Sequence, residues 1–286
     1  MNKALWQKSI SEALRLLAAS LLLMFVFHWL RVWVTSQVSL AELRMFLRAL
    51  PAFLRQLSPV PIEQIATSVG RIAVSYDDPI VLLLVTVWAI ARGSDSVSGE
   101  IGRGTMEMVL AQPVRRLTVL WTQATVTTAG AALLAASAWL GTASGLATVQ
   151  LEEPVQAQVF VPAAINLFGV TFFLAGLATL VSSPDRNRWR TISLVGGIYI
   201  VEMILKVVGM TAIGWRWLNY LTFFTLFEPE PLALDAQKAW SWRVAAPNGG
   251  MELAGLGFDA VLLGMGLACY GLATVIFCRR DLPAPL

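Results

Sequence analysis

The sequence predicts an all-α integral membrane protein with six membrane-spanning helices. Three observations carry that reading. Hydrophobic residues make up 57% of the 286 residues and charged residues only 14%, against roughly 25% charge in ordinary soluble chains, so too little polar surface remains to face water on every side. Mean hydropathy is +0.67. The apolar residues are also grouped, in uncharged runs close to the about 20 residues that a helix needs to cross the hydrocarbon core.

Taken in order, the spans fall at about 14–34, 79–94, 117–148, 161–183, 191–213 and 257–278. The first grows from the uncharged run Leu16 to Leu30; no A-x-A site follows it, so it reads as an uncleaved span rather than a signal peptide. Before it, Trp6, Ile10 and Leu14 with Lys3 and Lys8 suggest a short helix on the inner surface. The second has only thirteen uncharged residues, Pro79 to Ala91, and is accepted because Asp78 can cap a helix that Pro79 starts, while Arg92 can snorkel. The last three are clear, apart from Glu202 and Lys206 inside the fifth.

An even number of spans puts both termini on one side. The segments 1–12, 93–116, 182–190 and 279–286 hold ten Lys and Arg, while the opposite and nearly twice as long segments 35–78, 149–161 and 211–254 hold seven. The positive-inside rule then places both termini in the cytoplasm, with 35–78 and 214–254 as outer loops. Trp29, Trp33, Trp215 and Trp217 fit an outer aromatic belt. Within the first loop, 38–57 repeats apolar residues at a helical period, from Leu43 to Leu57, with Pro51 a kink.

Other function classes are excluded early. One histidine and two cysteines leave no dedicated His/Cys metal site and no disulfide framework. Cys269 and Cys278 are nine apart, on opposite sides of one helix. His28 lies in the first span, so no Ser/His/Asp set can form in water. The net charge of +3 is too small and dispersed for nucleic acid. The carboxylate pairs Asp77–Asp78 and Glu152–Glu153 read as solvated loop charge.

The segment 94–116 between the second and third spans carries the most information. Glycines and serines give way to a short apolar-periodic stretch that Thr105 can cap, with Glu107 at its positive end and Met106, Val109 and Leu110 on one face. Pro113 ends it, and Arg115 and Arg116 anchor the next span. The outcome is a charged, partly apolar knob between two membrane helices, suited to docking in a groove of a cytoplasmic partner.

The run Gly99-Glu100, Arg103-Gly104-Thr105, Glu107, Leu110, Pro113 and Arg116 resembles the cytoplasmic signature of type-2 ABC exporter permeases. Phe277-Cys278-Arg279-Arg280-Asp281-Leu282 after the last span, and Trp217-Leu218-Asn219-Tyr220-Leu221 leading to Phe227-Glu228-Pro229, agree with it. The resemblance implies that 94–116 is a coupling helix contacting a separate ABC ATP-binding subunit through Glu100, Arg103, Gly104, Thr105, Met106, Glu107, Leu110 and Pro113. It also implies an exporter in the inner (cytoplasmic) membrane that pairs with a second copy, or with a related permease. An outer accessory protein and the bilayer lipids complete the set of partners. ATP and Mg would sit on the ATPase, and this chain would bind no cofactor and be no enzyme itself. None of the lysines Lys3, Lys8, Lys206 and Lys238 follows a glycine, so none completes a phosphate-binding Gly-Lys-Ser/Thr. A membrane anchor or force-transmitting subunit is the alternative.

Glu202 and Lys206, four apart, read either as part of a substrate path or as a self-neutralised pair locking the fifth span. Gly141 with Gly145, and Ala260 with Gly264 and Ala268, are small-residue stripes that permit close helix approach, within the subunit or between copies.

Overall fold

The structure, a computed structural model, describes residues 3–39, 45, 64, 66–212, 214–245 and 250–280. Most of the expected outer helix 38–57 and the end of the Phe277–Leu282 motif lie outside the described residues. Six helical stretches are long and apolar enough to span a membrane. Helix α1 (Lys3–Gln37) is one uninterrupted helix. This corrects the expectation of a separate surface helix before the first span: Lys8 and Ser9 are held against neighbouring elements, so the chain has no reason to bend away.

The second span gains its length from both ends. A short helix α2 (Ser68–Ala73) and a 3-10 turn (Val74–Tyr76) lead to Asp77 and Asp78. Asp78 then caps α3 (Pro79–Ser94), accepting from Ile80 N–H at 3.0 Å with Pro79 in the first turn. Beyond α3 the path continues through a π-helical turn (Asp95–Gly99) and a last turn at Glu100–Gly102. Helix α4 (Thr105–Leu110) follows, then the long α5 (Arg116–Thr148). A 3-10 turn (Ala157–Phe160) introduces α6 (Val161–Ser182), and α7 (Arg188–Thr211) starts at the cap residue Asn187. Two 3-10 turns (Arg216–Tyr220 and Phe223–Leu226), the short helices α8 (Pro229–Leu234) and α9 (Ala236–Ala239), and an antiparallel ribbon of β1 (Arg243–Ala245) with β2 (Met251–Leu253) connect to α10 (Gly255–Arg279). In the ribbon Val244 faces Glu252. The start of α1, α4 and the end of α10 share one face of the bundle, here the terminal face; α8, α9 and the ribbon occupy the far face.

Helix α6 forms the centre of the bundle, with α3, α5 and α10 packed around it. Close approach depends on small residues. On α5, Gly145 lies where a Cβ would meet Val32 Cβ of α1 at 2.7 Å, and Gly141 touches Phe25 and His28. The Gly141–Gly145 stripe therefore packs α5 on α1 inside the subunit. Gly264, by contrast, faces open space. On the periphery, α7 buries only Thr191, Val195 and Gly209, leaving an apolar surface of the kind that lipid covers.

Candidate functional site

The segment between α3 and α5 is built inward from its serines. Ser182 of α6 receives the Ser98 N–H at 2.9 Å and donates to Ser94 C=O at 3.0 Å, while Ser98 Oγ meets Thr191 Oγ1 of α7 at 3.1 Å. All four are fully buried. Sequence reading missed this hydroxyl seam, because serines in a glycine-rich stretch look like loop. It fixes the π-turn to the ends of two spans.

Charge fixes the next turn. Glu100 is 2% exposed. Its Oε2 accepts from Lys8 Nζ of α1 at 2.6 Å and from Thr105 Oγ1 at 2.5 Å, and its Oε1 from Arg103 at 3.2 Å. Asp95 Oδ1 accepts from Arg103 at 2.5 Å and lies 3.4 Å from Arg188 Nη1 of α7. The hydrogen bond to Asp95, helped by that carboxylate's charge and by Glu100, pushes the Arg103 pKa up from its ordinary value. The network ties α1, α3, α4 and α7 together. It corrects the expectation that Glu100 sits on an exposed turn facing a partner: its carboxylate is saturated from within the chain.

Gly104 adopts a left-handed φ of +70°, which a residue without a Cβ enters freely. It reverses the chain and precedes α4 as the cap position. Thr105 is thus the first helical residue rather than the cap, its hydroxyl spent on Glu100. The apolar face of α4 points into the bundle: Met106, 1% exposed, packs with Val97, Leu120, Ala273 and Phe277, and Leu110 lies partly buried beside them. This corrects the reading of Met106 and Leu110 as a docking face. Periodicity identified the face; it could not say which side of the knob carried it. The outward surface is Gly102, Arg103, Gly104, Glu107, Met108, Gln112 and Pro113, with Met108 64% exposed. A cleft of about 300 Å³ runs beside it, lined by Leu5, Lys8, Thr105, Met108, Val109 and Gln112.

The C-terminal motif completes this face. Arg116 donates to the carbonyls of Phe277 and Arg280. Arg280 donates to the Ser183 and Asp185 carbonyls, both at 2.9 Å, so the end of α10 is sewn to the α6–α7 turn.

At the far face, Glu202 and Lys206 do not pair with each other among the described residues. Instead each holds backbone of the 216–227 segment, which folds back along α7. Phe223 N–H donates to Glu202 Oε2 at 3.2 Å, Thr222 Oγ1 to Glu202 C=O at 3.0 Å, and Lys206 Nζ to Phe227 C=O at 3.3 Å. The reading of the two as a self-neutralised pair is replaced by this one: non-helical backbone near the membrane must be satisfied by protein, and these side chains do it. Asn166 of α6, wholly buried, serves the same segment, donating to Leu226 C=O at 3.0 Å and accepting from Glu228 N–H at 3.0 Å. A lone asparagine in an otherwise apolar span was the available signal. Phe223, Phe224 and Phe227 are buried, while Trp217 and Tyr220 stay exposed. Just beyond, Glu230 of α8 is 6% exposed with no partner for Oε2 among the described residues. Burial first, then the charge of Asp77, raises its pKa to about 7.

His28 is fully buried, its Nδ1 3.0 Å from Met24 C=O and its ring edge-on to Tyr76. It sits in packing, away from both faces.

Six apolar spans, a braced knob on one face and a folded-back aromatic segment on the other define a multi-pass membrane protein of the permease class. Residues 7–282 match the family described as ABC-2 family transporter protein, and the chain belongs to that family. It is a permease subunit of an ABC transporter, the transmembrane component and not the ATPase. No curated protein matches the chain significantly.

Proposed function

We propose that the terminal face lies in the cytoplasm and that 94–116 is the element through which a separate ABC ATP-binding subunit, carrying ATP and Mg, drives substrate export. Two permease subunits, either two copies of this chain or this chain with a related permease, would flank the path. The observation that carries the reading is the bracing of the 94–116 knob. Glu100 and Asp95 tie it by ion pairs to α1 and α7, and Met106 ties it by packing to α5 and α10. A push on the knob therefore reaches four spans at once, whereas a loosely tethered loop would absorb it. Docking falls to the outward residues Arg103, Glu107, Met108, Gln112 and Pro113, and Glu100, Thr105, Met106 and Leu110 support them from behind.

Met108→Asp tests this with little risk to the fold, because exposed substitutions usually change stability by under about 0.5 kcal/mol. The variant should reach the membrane at the wild-type level and fail to retain the ATPase in a pull-down. Normal retention together with normal substrate-stimulated ATP hydrolysis contradicts the assignment. Flux in reconstituted vesicles separates an exporter from an anchor or force-transmitting subunit, which would bind the ATPase and move nothing.

A further inference from the structure

A polar cavity of about 420 Å³ opens on the terminal face between α1, the end of α3, the turn before α4 and the start of α7. Its charged lining is Arg92, Arg103 and Arg188 against Glu12 and Asp95, one positive charge in excess. The acids are already engaged. Asp95 holds Arg103 and Arg188, and Glu12 faces Lys8 at 3.8 Å. The carboxylates of Glu12, Asp95 and Glu100 lie within 4.8 Å of one another, a spacing that alone would suit a cation. Lys8 Nζ, 2.6 Å from Glu100, and the Arg103 guanidinium fill that place.

Arg92 is the lining cation that makes no direct ion pair among the described residues, although Asp95, Glu12 and Glu100 lie near enough for their charge to be felt. It is 3% exposed, yet no carboxylate lies within ion-pairing distance among the described residues. Its Nη2 donates to neutral oxygens only, Gln123 Oε1 at 2.6 Å and Ser9 Oγ at 3.2 Å, and its buried Nε–H has no partner among the described residues. A buried guanidinium is costly unless an anion compensates it, and the planar fork of arginine matches phosphate oxygens. The cavity also sits at the level of a membrane interface. Arg92 is in the last turn of α3, and the helices that line the cavity carry exposed apolar residues near the same end, Trp189 and Leu194 on α7 and Leu14 on α1.

We propose that this cavity binds a phosphate-bearing anion between Arg92 and Arg188, supplied by the headgroup of an anionic phospholipid or by free phosphate. Neither source depends on the transport reading. The bound anion would join α1, α3 and α7 directly behind the 94–116 segment.

The test uses the full-length protein, purified and delipidated in detergent, with phosphatidylglycerol, diacylglycerol and inorganic phosphate as probes, read by native mass spectrometry and thermal melting. Phosphatidylglycerol should bind saturably and raise the melting temperature where diacylglycerol does not. Competition by inorganic phosphate at millimolar concentration identifies free phosphate as the source; its failure to compete identifies the lipid. Arg188→Gln should weaken binding by about tenfold or more, in line with loss of a charge-assisted contact. Arg190→Gln, two residues further along α7 on an exposed side chain, should leave binding unchanged. Equal retention of phosphatidylglycerol and diacylglycerol, or unchanged affinity in Arg188→Gln, overturns the proposal. Should Arg188→Gln fail to fold, the wild-type comparison of the three probes decides alone.

Discussion

Glu100 receives donors from three residues on two elements, so its removal strands Lys8, Arg103 and Thr105 together. Lys8 and Arg103 keep 31% and 42% of their side chains in solvent, which discounts the about 3–5 kcal/mol usual for breaking a buried pair. Glu100→Ala should therefore lower stability by about 1–3 kcal/mol, read as an earlier thermal melt in detergent. An unchanged melt would mean that the network is ornamental. Glu230 makes the second residue-scale prediction. Its pKa in the folded chain, about 7, exceeds the ordinary 4.5, so the folded state binds the proton more tightly than the unfolded state. The resulting stability is fully present below pH 4.5 and is lost as pH rises through 7. Melting temperature should fall between pH 5 and 8, and Glu230→Gln should flatten that slope. An equal slope in the variant contradicts the assignment.

At the scale of elements, the 216–227 segment is held to the bundle by side-chain contacts to its backbone from Glu202, Lys206 and Asn166. Lys206→Met removes one of these and leaves Phe227 C=O unpaired near the membrane, where an unsatisfied carbonyl costs about 1–3 kcal/mol. A single cysteine at Phe224, 2% exposed, should be slow to label in the wild type and labelled readily beside Lys206→Met. Equal labelling rates would show that the segment is held by its phenylalanines alone. The same elements show what the sequence could reveal. Uncharged runs marked the spans because membrane hydrocarbon imposes length and composition together. The second span looked short because its extension, 68–76, carries Arg71, Ser75 and Tyr76, polar groups whose burial is decided by tertiary contacts. The i,i+4 spacing of Glu202 and Lys206 suggested a pair; their actual partners come from backbone some twenty residues further on, which no local pattern records. Similarly, the period of Met106, Val109 and Leu110 marked an apolar face but not its direction.

For the molecule as a whole, the two faces are organised differently. On the terminal face ion pairs, serine hydroxyls and Arg116–Arg280 contacts fasten the knob, the start of α1 and the end of α10 into one body. On the far face a folded-back aromatic segment closes over the bundle. Between them α6 is buried along its length while α7 is largely exposed. The outward surface of 102–113 is the proposed docking site of the ATP-binding subunit. Site-specific photocrosslinking tests it most directly, with the crosslinker placed in turn at Met108, at buried Met106 and at Trp217 on the far face, in membranes containing both subunits. Docking there gives a crosslink to the ATPase from Met108 and none from Met106 or Trp217. An ATPase that co-purifies with the permease yet never crosslinks at Met108, or crosslinks from Trp217, contradicts it.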